Sequence, residues 1–375
     1  MNLIRVLCVV PPSLAALLLL LPAPKAVGCA VAPRPGDTVQ IADESAVIVW
    51  DSTSQTEHFI RRATFSSAAP DFGFLVPTPA RPELAEAGDE AFKDLTDLTA
   101  PKVIFRSAPS GGGGCGCGLA PKSAAGHADM APQAVDVLET KRVAGYAAAV
   151  LQADDADALA KWLKDHGYES SPALTEWLAP YVKAKWKISA FKIARSDPPQ
   201  SDTGKTSPGQ VSTAALRMTF HTERPFYPYR EPSVVPPVLS GPTPWPQRLL
   251  RVYFLSDERV KGTLGDGGRP WGEVARARAV WSGVVVDSDR ERLLGELKLP
   301  KATPPASWRL TEFEDRSAPR PGSDDVYFSR DEDQTPIERP PIVQYVGGPM
   351  PACVMCYALV LYMIVPRLLR RRRGA

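Results

Sequence analysis

Residues 340–366 contain no charged side chain, and the stretch runs into Arg367 and then Arg370, Arg371, Arg372 and Arg373. An apolar segment stopped by arginines constrains this chain more than any other feature, because it suits a bilayer better than a water-facing fold. A helix over about 351–369 rises roughly 27 Å, just short of a hydrocarbon core of about 30 Å, and snorkelling arginines make up the difference. By the positive-inside rule the five arginines anchor a cytoplasmic C-terminus, with everything before the span on the other side.

The opening stretch, "MNLIRVLCVVPPSLAALLLLLPAPKAVGCA", has the form of a secretory signal: Arg5 in a short n-region, an apolar run to Leu21, and small residues at Ala26 and Gly28. Cleavage after Gly28 would leave Cys29 first. "AVGC" loosely matches a lipoprotein signal, but Ala26 stands where leucine is usual and Lys25 interrupts the approach, so lipidation of Cys29 is the minor alternative. The expected layout is a signal peptide at 1–28, an exported domain at 29–314, a polar proline-bearing stalk at 315–341, a transmembrane segment at 342–369 and an arginine-rich tail at 370–375. Without Arg5, Lys25 and the terminal arginines, 37 of 44 basic residues remain against 42 acids, leaving about −5. Charge and compartment together disfavour a nucleic-acid partner. The 39 prolines gather in connecting stretches such as 196–210 and 225–246, which read as long extended loops.

Within the exported part, "SAVIVW" and "TEHFIRRATFS" are strands joined by a turn over 51–54, and "FGFLVP" is a third. "EAFKDLTDLTAP" is a helix stopped by Pro101, after which "KVIFR", "AVDVLETKRV" and "YAAAVLQ" are extended. Leu159, Trp162, Leu163 and His166 fall at helical spacing, with Asp154 as N-cap and Gly167 as stop. Ser171 caps a second helix, where Leu174, Trp177, Leu178 and Tyr181 repeat the spacing until Pro180 kinks or ends it. "KWKISAFKIA", "STAALRMTFHT", "RLLRVYFLS" and "AVWSGVVVD" follow as strands. About ten strands against three or four helices predict an α+β fold, mainly antiparallel β-sheet with a helical hairpin.

No nucleophile elbow, H-E-x-x-H or P-loop occurs. Cys353 and Cys356 form a C-x-x-C at the outer end of the apolar span, without the positive surroundings of a redox pair or two further metal ligands, and read as span-facing thiols. "GTLGDGG" at 262–268 reads as a hairpin loop, and "DEDQTPIE" at 331–338 lacks a ligand and the glycine of a calcium loop. His58, His127, His166 and His221 are scattered and read as structural, while Asp154, Asp155 and Asp157 complement a helix dipole. Cys115 and Cys117, in "GGGGCGCG", leave three readings open: a disulfide with Cys29, a flexible tract without chemistry, or a soft-metal site. A bridge between the two tract cysteines would strain a very small ring, so Cys29 is the easier partner.

"DFGFLVPTPARPEL", "FKDLTDLTAP", "LQADDADALAKWLKDHGY", "LAPYVKAKWKISAFKI", "LRMTFHTERPFYPYR", "RVYFLSDERV" and "SWRLTEFED" together resemble the bacterial family called domain of unknown function 2330. The resemblance covers roughly 28–315; the tract "SGGGGCGCG" departs from it. It implies an exported protein, often with a membrane segment, and no assigned activity, so no catalytic residue carries over. The tail, with Gly347 and Gly348 before the span, also resembles a cleaved sorting signal. The leading expectation is a membrane-anchored envelope protein with a non-catalytic structural or binding ectodomain and no cofactor. Its partners would be the membrane and an envelope protein or small molecule. The alternative is metal or redox handling by Cys115 and Cys117.

Overall fold

The computed structural model describes residues 25–26, 31–32, 39–67, 71–107, 135–168, 170–194, 210–234, 248–266, 268–317, 320 and 323–346. Alternating residues in long β-branched and aromatic strands build two facing sheets. The larger runs Ala277–Val285, Trp308–Asp315, Leu249–Ser256, Val39–Asp51, Thr56–Ser67, Leu216–His221 and Glu83–Glu86, with Gln210–Ser212 also paired to Thr56–Ser67. Its neighbours are antiparallel except Leu249–Ser256 against Val39–Asp51, which is parallel. The second sheet orders Val31–Ala32, Asp71–Thr78, Lys187–Ala194, Tyr146–Gln152 and Asp136–Val143, all antiparallel. A third joins Phe226–Tyr227, Val326–Arg330, Val260–Leu264 and Arg269–Pro270. Two ribbons complete the strands: Lys25–Ala26 with Ser233–Val234, and Ile342–Val346 parallel to Val103–Ser107.

The described helices are α1 (Glu90–Leu98), α2 (Ala156–Asp165), α3 (Pro172–Lys183), the single turn α4 (Trp271–Val274) and α5 (Asp287–Glu296). Strand alternation sorts the core into layers. Ala46, Ile48, Phe59, Val252 and Phe254 face Phe72, Phe74, Val150 and Phe191 of the second sheet, and Val326 and Phe328 of the third. On the opposite face of the large sheet, Val47, Val49, Ile60, Tyr253 and Leu255 are covered by Phe92 and Leu95 of α1 and by Leu293 and Leu294 of α5. Beyond the second sheet, Leu75, Leu151 and Ile188 meet Leu159, Trp162 and Leu163 of α2 and Leu174, Trp177 and Leu178 of α3. Each fully buried large apolar side chain stabilises by about 1.5–3 kcal/mol. The α+β, mainly antiparallel expectation with its helical hairpin therefore holds.

Several local expectations need correction. Asp155, not Asp154, caps α2 by accepting from Ala158 N at 2.8 Å, because it holds the extended backbone a cap requires. Asp154 instead accepts from Lys185 Nζ at 2.5 Å. Pro180 does not end α3, which continues to Lys183 because buried Tyr181 and Val182 carry its apolar face past the missing donor. The glycine-rich loop is the expected hairpin, pairing Leu264 with Arg269 and placing Gly265 and Gly268 at φ +61° and +69°.

The segment expected as a stalk is built into the body at several points. Arg320 and Asp325 are buried, Val326–Arg330 lies between two strands, Ile337 bridges Ser282, and Arg339 reaches Glu312 and Glu314. Polar composition misled here because Asp315 and Arg320 meet inside the fold, while Glu332, Asp333 and Glu338 remain exposed as a solvated segment would have them. Ile342–Val346, assigned to the span, is extended and paired.

Candidate functional site

Polar residues on the inner face of the large sheet close on one another. Glu44 accepts from Arg61 Nε at 2.5 Å and lies 3.4 Å from Arg320 Nη1, which is also 3.4 Å from Glu231. Arg248 approaches Glu231 at 3.4 Å, while Asp315 accepts from Tyr229 Oη at 2.7 Å and stands 3.8 Å from Arg320 Nε. All of these residues except Tyr229 are charged, and all are buried. Burial alone would raise the Glu44 carboxyl, but Arg61 and Arg320 hold it down at about 2. Burial pushes Glu231 up, opposed by Arg248 and Arg320.

Two other buried acids have no close ion pair among the described residues. Glu57 accepts from Phe226 N at 2.9 Å, and burial raises its carboxyl well above the ordinary range. Asp325 accepts from Tyr181 Oη and Arg230 N, both at 3.0 Å, and burial pushes it up to about 6 against those hydrogen bonds.

The outer face of the same sheet carries a different arrangement. One cross-strand rung reads Arg62, Ser45, Arg251, Glu314, with Ser45 directly opposite Arg62 on one side and Arg251 on the other. The next rung sets Asp43 between Thr64 and Leu249. A small serine between two long cations leaves a hollow, and the residues around it enclose a polar pocket of about 250 Å³ lined by Asp43, Glu44, Ser45, Arg62, Thr64 and Arg251, among others. The Glu44 carboxylate is committed to the inner face.

Helix α1 holds one wall, as the Arg62 guanidinium lies 4.6 Å from the Phe92 ring centre and 4.0 Å from Asp89. Burial lowers the Arg62 pKa from its ordinary value, with Asp89 opposing. Arg251 forms the other wall, 3.7 Å from Glu312 and 3.5 Å from Glu314. Those carboxylates are better engaged by Arg339, at 2.7 and 3.0 Å, and Glu314 also by Arg316 at 3.0 Å. Three guanidiniums thus share two carboxylates. Arg62 Nη1 and Arg251 Nε are buried atoms without a hydrogen-bond partner among the described residues.

The residues expected to carry chemistry lie elsewhere. His58 Nδ1 is 2.9 Å from Thr219 Oγ1 on the neighbouring strand, and burial and Arg217 lower it to about 4. His166 Nδ1 donates to Trp162 O at 2.7 Å with its ring stacked on that indole, and His221 is exposed in its strand. His127, all six cysteines and Arg367, Arg370, Arg371, Arg372 and Arg373 lie outside the described residues, so the disulfide, metal and anchor expectations do too. Among the described residues no three His, Cys, Asp or Glu are grouped to hold a metal ion. Sequence reading missed the pocket because its residues sit on separate strands and form no motif. One signal was present: Arg61 and Arg62 are adjacent in a strand, so one must face the core and the other the opposite side.

Residues 22–298 match the family described as uncharacterised protein conserved in bacteria, domain of unknown function 2330. No curated protein matches the chain. Among solved structures, that of baculovirus P35 is similar over 80% of this chain and 97% of its own, at 9% identity and a TM-score of 0.31, a likeness that carries no argument about this protein.

Proposed function

We propose, from the premise that the chain belongs to the domain of unknown function 2330 family of uncharacterised proteins conserved in bacteria, that it is an exported, single-pass membrane protein whose β-rich body binds a ligand and is not a catalyst. The outer-face pocket carries the binding reading. On the inner face the guanidiniums of Arg248 and Arg320 are buried among carboxylates, whereas Arg62 and Arg251 keep 23% and 32% of their side-chain surface accessible at a polar hollow. Export and anchoring rest on the signal-like opening and on the apolar, arginine-ended segment. No helix among the described residues is long and apolar enough to cross a membrane, and 347–375 lie outside them.

Protease added to spheroplasts should digest the body and spare a tag at the C-terminus. A fully protected body would overturn export, and an intact mass lacking the C-terminal segment would replace the anchor by a cleaved sorting signal. Metal or redox handling by Cys115 and Cys117 is the second reading, supported by their C-x-C spacing. Stoichiometric copper or zinc in the purified protein, lost on changing both cysteines to serine, would put it first.

A further inference from the structure

The pocket's walls define what can enter it. Two guanidiniums flank Ser45, and each is a planar fork of donors matched to carboxylate or phosphoryl oxygens. Arg62, Arg251, Arg316 and Arg339 exceed their paired acids Asp89, Glu312 and Glu314 by one, so the hollow borders one surplus positive charge, which Asp43 offsets at the rim. A bare metal cation is disfavoured by these two walls. Asp43, exposed on the adjoining rung, adds one carboxylate at the rim. A ligand with two anionic ends would set one of them against Asp43. The space of about 250 Å³ equals the room of about eight waters at ~30 Å³ each, and lies just under the range of about 300–1,000 Å³ typical of drug-sized pockets. That suits a molecule of a few heavy atoms and excludes a folded partner.

We infer that the pocket takes a small zwitterion, with carboxylate or phosphoryl oxygens between Arg62 and Arg251 and an ammonium group beside Asp43. The ligand oxygens meet the accessible parts of the Arg62 and Arg251 side chains, which keep 23% and 32% of their surface open. Ser45 contributes its small size, which keeps the two guanidiniums from being separated by a side chain. This inference rests on the binding reading above but not on anchoring, and the two are tested by different measurements. A failed titration leaves the spheroplast result standing, and the reverse.

The test uses the full chain purified in detergent, titrated calorimetrically at millimolar concentration with phosphoethanolamine, inorganic phosphate and succinate. Phosphoethanolamine should bind more tightly than phosphate, and succinate least. Arg62→Gln and Arg251→Gln should each weaken binding by about tenfold or more, as expected for loss of charge-assisted hydrogen bonds. Asp43→Asn should remove the advantage of phosphoethanolamine over phosphate. Because Arg251→Gln also disturbs Glu312 and Glu314, Ser45→Glu gives an independent reading. A carboxylate placed between the guanidiniums should raise the melting temperature without ligand and abolish the titration signal. The inference is overturned if none of the three probes binds, if both arginine variants bind as the wild type does, if succinate is preferred, or if Ser45→Glu lowers the melting temperature.

Discussion

Two glutamates on neighbouring strands, both buried, have opposite fates. Glu44 is ionised between Arg61 and Arg320, while Glu57 accepts one amide hydrogen bond and burial raises its carboxyl well above the ordinary range. Glu44→Gln should therefore destabilise by about 3–5 kcal/mol, since it leaves buried guanidiniums uncompensated. Glu57→Gln should change stability at pH 7 by no more than about 1 kcal/mol, or increase it, because an amide of the same shape replaces an acid whose charged form burial disfavours. Chemical denaturation of both variants compares them directly, and equal losses would mean the assignment is wrong. Asp325 gives the pH dependence. Its folded value of about 6 lies above its ordinary 3.8, so the folded state binds more protons in that window and stability falls as pH rises through it. The swing is about 3 kcal/mol at 1.36 kcal/mol per unit. Relative to Asp325→Asn, the wild type should gain stability as pH drops from 6 towards 4, and parallel curves would refute this. None of these contrasts was legible in the sequence. A lone acid in a strand does not disclose which arginine, hundreds of positions away, will meet it.

Elements were far more legible than sites, because local alternation and helical spacing report directly which face is buried. The turn after Val39–Asp51 is one case: Asp51 accepts from Thr53 N at 2.9 Å, as turn chemistry implies. The stripe of α2 is another, with Trp162 and Leu163 buried against the second sheet. Trp162→Ala should cost about 3–5 kcal/mol, read as a marked drop in melting temperature. An unchanged value would mean that the stripe is not packed. The strand Asp71–Thr78 hides a constraint of another sort. A Cβ on Gly73 would stand 2.2 Å from the ring of Tyr168, which is buried beside α2. Gly73→Ala should destabilise by about 1–3 kcal/mol through overpacking, and the double variant with Tyr168→Ala should lose less than the sum of the two single losses. Sheet membership stayed hidden from the sequence, since "FGFLVP" reads only as a strand and joins the second sheet through tertiary pairing.

At the scale of the whole molecule, the body does not stop where the family match does, at residue 298. Trp308–Asp315 sits inside the large sheet, Arg320 inside the charge network, and Val326–Arg330 inside the third sheet. A chain truncated after residue 316 should lose its cooperative thermal transition, whereas one ending after 346 should keep it; a cooperative transition in the shorter chain would show that these elements are dispensable. Composition could not reveal this, because a polar, proline-bearing segment looks the same whether its charges meet water or one another. The ribbon of Ile342–Val346 and Val103–Ser107 carries a last consequence, one of tether geometry. Its strands run in the same direction, and Val346 pairs with Ser107. The two strands therefore end side by side, about 4.8 Å apart. From Ser107 to Cys115, and from Val346 to Cys353, an extended chain reaches no more than about 25–30 Å. Covalent length alone therefore limits how far apart these two thiol pairs, more than two hundred positions apart in the sequence, can lie. Non-reducing peptide mapping of the full chain should seek crosslinks from Cys115 and Cys117 to Cys353 and Cys356 as well as to Cys29.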